Sequence, residues 1–218
     1  MMMEGVIAAC LLWPLVVGAL VLVFGSQPNV RDTVMVGGSA LLLPMVGSLA
    51  SLVMQDKHPS LYLFDLFPGI GLSFAVEPLG LVYALVAASL WPVTLVYSVG
   101  YMRGHHEKNQ TRFFFFFAVA ISAAIGVAFS ANLVSLFLFY EVLTISTYPL
   151  VTHHQDDAAR RAGRVYLGIL LTTSVCFLLM AICWTYVVAG TVEFRPGGVL
   201  RAPVQEGGTL GRTGLMVL

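Results

Sequence analysis

The sequence predicts an all-α integral membrane protein with six transmembrane helices and the start of a seventh. Three observations carry that prediction. Of 218 residues, 58% are hydrophobic and only 10% charged, whereas ordinary soluble domains carry about 25% charged residues. The apolar residues gather into six long spans divided by polar or Pro/Gly-rich breaks. One of those spans keeps a carboxylate, Glu141, near its middle. A charge at that depth costs about 2.5–3.5 kcal/mol on insertion scales, and chains that retain one give it a partner, a water-filled cavity or a proton.

The first span is 5–24, closed by Gly25-Ser-Gln-Pro28. Met1-Met2-Met3-Glu4 lacks the positive flank of a signal peptide, so the span reads as a retained helix. The second span is 33–54, followed by the polar Gln55-Asp-Lys-His-Pro59. The third is 78–101; Pro78 suits a first helical turn, where its missing N–H would be unsatisfied anyway. Glu77 is expected to cap it. Residues 113–151 form one nearly unbroken apolar stretch of 39 residues. As a single helix it would be about 58 Å long, against a hydrocarbon core of roughly 30 Å. It must fold back, and Ser130-Ala131-Asn132 is the polar break, which divides it into spans 113–130 and 132–151. The sixth span is 165–189. Residues 190–212 read as an external loop, and 213–218 as the first turn of a further helix. Between the second and third spans, 61–76 carries Pro68-Gly69 between aromatic and β-branched flanks, the pattern of a hairpin at the membrane surface. The whole chain, 1–218, reads as a single membrane domain.

Loop charges give an orientation. Arg31, Arg103, Lys108, Arg112, Arg160, Arg161 and Arg164 fall on one side, and Lys57, Arg195, Arg201 and Arg212 on the other. The side with seven charges is expected to be cytoplasmic. Net charge is zero, so no basic field points to nucleic acid. Cys10, Cys176 and Cys183 read as small apolar core residues. No Cys/His spacing suits zinc or an iron–sulfur cluster, and no cofactor is expected.

Glu141 is the leading functional candidate, because burial raises the pKa of a carboxyl and lets it carry a proton near neutrality. Thr144 and Tyr148 follow it at spacings of three and seven, which places them near its helical face as relay candidates. Hydroxyls in membranes serve equally as interhelical glue. Arg160, Arg161 and Arg164 cluster where the sixth span begins. The ordinary reading is interfacial anchoring; the sharper one turns Arg164 inward to bias the Glu141 proton. Asp156 and Asp157 suit that helix's N-terminus. His153 and His154 read as solvated or lipid-facing, with proton uptake as the functional alternative, because imidazole titrates near neutral pH. His105, His106, Glu107 and Lys108 read as a solvated loop.

These motifs resemble a known family. Asn132-Leu-Val-Ser-Leu-Phe-Leu-Phe-Tyr-Glu141-Val-Leu-Thr-Ile-Ser-Thr-Tyr-Pro149, continuing to His154, is similar to the fifth-helix signature of antiporter-like membrane subunits. These include the large subunits of Mrp-type cation/proton antiporters and the proton-pumping subunits of respiratory complex I and membrane-bound hydrogenases. Ala158-Ala-Arg-Arg-Ala-Gly-Arg-Val-Tyr166 resembles the start of the next helix. Gly190-Thr-Val-Glu-Phe-Arg-Pro-Gly-Gly198 resembles the loop after it in the Mrp antiporter branch. The resemblance implies the N-terminal part of a fold of about fourteen helices in two inverted repeats. It also implies that Glu141 pairs with a lysine on a broken seventh helix, which would begin where this chain stops.

The resulting expectation is a proton-translocating subunit, truncated or split, of a multi-subunit monovalent cation/proton antiporter in a bacterial-type plasma membrane. Its partners would be other complex subunits, a chain supplying the remaining helices, protons and a monovalent cation. Two alternatives stand beside it. One is a membrane-arm subunit of an NADH:quinone oxidoreductase or membrane-bound hydrogenase, which would make it part of a translocase. The other is a non-transporting structural or assembly remnant.

Overall fold

Burial of apolar surface in lipid offers helices no hydrophobic gain against one another, so what holds them is close packing and polar contact. The computed structural model describes residues 2–200 apart from Asp56, Pro68 and Pro196. It contains six helices long and apolar enough to cross a membrane. They are α1 (Met2–Val23), α2 (Pro28–Val53), α3 (Pro78–Gly104), α4 (Gln110–Phe129), α5 (Leu133–Val151) and α6 (Asp157–Ala189). Residues 213–218, expected to open a further helix, lie outside the described residues.

α1 packs against α2 and α4, α3 against α2 and α4, and α5 against α4, while α6 rests on α5. Trp91, Phe114, Phe129, Ile7, Leu42 and Leu95 are fully buried in the α1–α4 body. Glycines set its close crossings. A Cβ at Gly38 would lie 2.6 Å from Val17, one at Gly80 2.0 Å from the Ala128 carbonyl oxygen, and one at Gly126 2.0 Å from the Phe139 ring. Several polar groups pair inside the bundle. Trp13 Nε1 donates to the Gly38 carbonyl at 2.7 Å, and Ser122 Oγ to the Leu11 carbonyl at 2.7 Å. The hydroxyls of Ser39, Ser98 and Thr185 donate back to carbonyls three or four residues earlier, which satisfies them without water.

Two boundaries differ from the expected ones for reasons of charge. α2 begins at Pro28, not 33, because Arg31 and Asp32 neutralise one another and enter the bundle 4% and 5% exposed. α6 begins at Asp157, eight residues ahead of the apolar span 165–189, with its N-terminus at the Asp156-Asp157 pair and the three arginines on the helix. Asp156 caps it, accepting a hydrogen bond from Ala159 N at 2.6 Å. Within α6, Ser174–Leu179 forms a π-helical turn. Nothing in the sequence marked it. Cys10 is buried, but Cys176 and Cys183 are exposed on α6, contrary to the expectation that all three lie in the core; nothing among the described residues covers those faces.

The hairpin pairs β1 (Ser60–Phe67) with β2 (Ile70–Ala75), antiparallel, with Gly69 at φ +82° in the turn. It is docked on the α4–α5 turn through Asn132. Asn132 Nδ2 donates to the Gly71 carbonyl and to Ser73 Oγ, both at 2.8 Å, and its Oδ1 accepts from Ser135 N at 2.7 Å as the N-cap of α5. Ser73 N donates to Ser135 Oγ at 3.1 Å. The backbone N–H of Leu133 donates to Val192 O, tying in the segment after α6. Glu77 stands at the N-cap of α3, but its side chain makes no capping bond; its carboxylate lies 3.8 Å from His58 Nδ1.

Candidate functional site

α5 runs antiparallel to α4 on one side and α6 on the other. Glu141 sits about 12 Å along it from Leu133 and about 15 Å from Val151, by helical rise, close to the middle of the span. The carboxylate is half-buried, and its Oε1 is buried with no hydrogen-bond partner among the described residues. An orphaned buried oxygen is costly, so this atom is the outstanding feature of the fifth helix.

The residues grouped with it by sequence make contacts of their own. Thr144, one turn on, is buried. Its carbonyl accepts from Thr147 Oγ1 at 2.7 Å, and that oxygen lies 3.5 Å from the Tyr166 hydroxyl on α6. Tyr148 packs over Gly163, where a Cβ would lie 3.0 Å from its ring and 2.2 Å from Thr152 Cγ2. Gly163 thus marks the face that α6 turns to α5. Arg160, Arg161 and Arg164 lie off that face and are exposed. Among the described residues, none of the three forms an ion pair with a carboxylate, Glu141 included. Among the described residues Arg164 points away from α5, because the contact side of α6 is occupied by Gly163.

His153 corrects the solvated reading. Its side chain is only 11% exposed, against 68% for His154. Its backbone carbonyl accepts from Arg112 Nη2 at 2.9 Å, and its ring meets Phe113 edge-on. Both ring nitrogens are buried without a hydrogen-bond partner among the described residues. Burial holds the imidazole below its ordinary pKa, Arg112 pushes the same way, and the Glu107 carboxylate opposes them. Glu107, expected to be solvated, is 19% exposed and lies 3.7 Å from each of the two histidines.

Sequence reading missed a second charged network on the same side. Arg31 contacts Asp32 Oδ1 at 2.7 Å, Gln110 Oε1 at 2.8 Å and Thr111 Oγ1 at 3.2 Å. Arg103 meets Asp32 Oδ2 at 2.7 Å through Nε. These bonds tie α2, α3 and α4 together. The signal was present as adjacent opposite charges, Arg31-Asp32, at the start of an apolar span. No group of three His, Cys, Asp or Glu side chains with metal-binding geometry occurs among the described residues.

Six helices long and apolar enough to span a bilayer define a multi-pass membrane protein. Comparison with known proteins finds similarity to antiporter-like membrane subunits. Residues 130–217 match the family described as NADH:quinone oxidoreductase/Mrp antiporter, TM. The chain is 25% identical over 188 residues to NADH-quinone oxidoreductase subunit N of Desulforudis audaxviator, covering 86% of this chain and 37% of that one. It is 28% identical over 195 residues to "Putative antiporter subunit mnhD2" of Staphylococcus epidermidis, covering 88% and 38%. The fold matches a chain of the membrane-bound sulfane sulfur reductase, an archaeal respiratory membrane complex, with TM-score 0.74 at 20% identity, over 95% of this chain and 32% of that one. It matches a chain of the Mrp complex from Dietzia sp. with TM-score 0.71 at 17% identity, over 97% and 22%. The chain thus spans well under half the length of the relatives it matches.

Proposed function

We propose that this chain is a proton-translocating subunit of a multi-subunit monovalent cation/proton antiporter, with Glu141 as the proton carrier. The observation that carries this reading is the Oε1 of a carboxylate near the middle of a spanning helix, buried and without a hydrogen-bond partner among the described residues. A group so placed is stabilised by binding a proton or by meeting a cation. Thr144 and Tyr148 lie along its helix as relay groups. His153 and His154 take up protons at the end that the charge asymmetry assigns to the cytoplasm, so His105 and His153 face inward and Lys57 faces outward. Arg160, Arg161 and Arg164 raise the positive potential along the same open edge. Further helices from the surrounding complex cover that edge in this reading. The membrane is a bacterial-type plasma membrane, and any electron transfer belongs to partner subunits.

A second reading, a membrane-arm subunit of an NADH:quinone oxidoreductase, is favoured by the similarity to NADH-quinone oxidoreductase subunit N. The proton chemistry of Glu141 is the same in both; only the driving force differs.

Both readings are tested by Glu141→Gln in the complex that contains this chain. The amide keeps shape and hydrogen bonding but cannot release a proton. Proton flux in vesicles should fall by roughly a hundredfold while immunoblots show unchanged assembly. Glu141→Asp should retain partial flux. Normal flux with Glu141→Gln would make the residue structural and favour the assembly-remnant reading.

A further inference from the structure

At the end of α5 away from the hairpin, the two histidines of the proposed uptake path face a carboxylate, Glu107, that this reading does not use. A single carboxylate oxygen, Glu107 Oε2, lies 3.7 Å from His154 Nδ1 and 3.7 Å from His153 Nε2. The two rings differ in what they see. His154 is 68% exposed and open to water, whereas His153 is 11% exposed and has no hydrogen bond at either nitrogen among the described residues. The oxygen therefore stands between a ring that exchanges with solvent and one that does not.

The three groups are held where they are. Glu107 N donates to Met102 O at 3.0 Å, and Gln110 Nε2 donates to the Glu107 carbonyl at 3.0 Å, so the turn after α3 is pinned on both sides of the side chain. His153 is pinned through its own carbonyl by Arg112. The charged and titratable groups around His153 are Arg112 on α4, Glu107 on the α3–α4 turn and His154 on its own segment. Arg31, Arg103 and His106 share with Glu107 the lining of an adjoining open pocket of about 530 Å³, which is roomy enough to admit water. Distances of 3.7 Å exceed a hydrogen bond, but a small rotation of the carboxylate would close either one.

We propose that Glu107 is a proton-transfer residue connecting bulk water to the buried His153, with His154 as the outer station. His154, protonated from solvent, donates its Nδ1 proton to Glu107 Oε2, which breaks that N–H bond and leaves a neutral imidazole and a carboxylic acid. Glu107 then donates the proton to His153 Nε2, returning to carboxylate and leaving His153 as imidazolium. One proton has moved inward and no other species is consumed. Burial and Arg112 make the imidazolium short-lived, which suits a station that passes its proton on. The onward direction, along α5 toward Glu141, rests on the proposed function; the transfer to His153 does not.

The test has two arms. In the first, the full chain in lipid nanodiscs carries labelled histidine, and the resonances of the five histidines are assigned by single His→Gln variants. Glu107→Gln should move the His153 titration to lower pH, Arg112→Gln should move it to higher pH, and Glu107→Asp should restore it toward the parent value. A His153 titration indifferent to Glu107→Gln overturns the proposal. In the second arm, Glu107→Gln in the assembled complex should lower proton flux by about tenfold or more, and added imidazole should restore part of it. A small diffusible base can replace a missing relay but cannot repair a misplaced loop. Loss of flux without rescue would make Glu107 structural and overturn the proposal. If the parent complex moves no protons while the titrations shift as expected, the antiporter reading fails and the Glu107–His153 transfer stands.

Discussion

α4 and α6 are both apolar enough to span a bilayer, yet half of the α4 span is buried inside the chain and only 11% of the α6 span. The difference separates two kinds of region. The α1–α4 body is closed on itself by small-residue crossings and paired polar groups. The α5–α6 edge is held on one side only, and Glu141 with its orphaned oxygen lies there. A better-packed body beside an open edge fits the proposed reading, in which neighbouring subunits cover that edge.

The strongest way to break this comparison is the Glu141→Gln flux loss described above, since it should disable the open edge and leave the scaffold intact. Next come matched glycine substitutions. Gly80→Ala would put a methyl group on the Ala128 carbonyl, which is backbone and cannot swing aside; a loss of about 1–3 kcal/mol is expected. Gly168→Ala on α6 meets nothing within 4 Å and should leave stability unchanged or raise it by up to about 1 kcal/mol through helix propensity. Thermal midpoints in detergent would compare the two. Equal effects would remove the distinction between body and edge.

Asn132→Ala should cost about 2 kcal/mol, as it loses an N-cap and two buried donor bonds at once. Faster proteolysis at the hairpin is the accompanying sign. An unchanged cleavage rate would mean that the hairpin is held by its backbone pairing alone.

A smaller effect concerns acid. The folded-state pKa of His153 lies below its ordinary value of 6.5, so folding disfavours the charged ring. The stability this contributes is fully present above pH 6.5 and is lost as pH falls from there through the lowered value. Unfolding followed across that window should show an acid limb that His153→Gln flattens. A limb that survives the substitution would assign it to another group. Smallest of all, Arg164→Ala should leave stability within about 0.5 kcal/mol, because the side chain is exposed and forms no ion pair among the described residues. A clear drop in flux from that variant would show that the open edge is electrostatically coupled to Glu141.

The long apolar spans were legible because helix length and bilayer thickness leave few choices, and the fold-back at Ser130–Asn132 followed from the same arithmetic. The charged networks were not legible. Arg31, Asp32 and Glu107 read as loop charges because sequence position alone does not reveal that an opposite charge 71 residues away, as with Arg103 and Asp32, will make burial tolerable. Asn132 was read as a polar break, whereas its side chain satisfies three backbone or hydroxyl groups on two different elements. His153 and His154 are neighbours in sequence and look alike there. Only the packing of Phe113 and Arg112 makes one buried and the other open.

The Asn132 junction also has a schedule. Its partners on the hairpin are synthesised 61 residues before it, and the Val192 carbonyl that closes the other side arrives about 60 residues after it. At roughly 5–20 residues per second, the strands wait about 3–12 s for Asn132, and the turn waits a similar time for the segment beyond α6. During the first interval the unpaired edge of β2 remains available to anything nearby. Correct assembly on this side of the membrane is therefore a matter of timing as well as of affinity. Whatever slows translation between residues 75 and 132 lengthens the first wait directly.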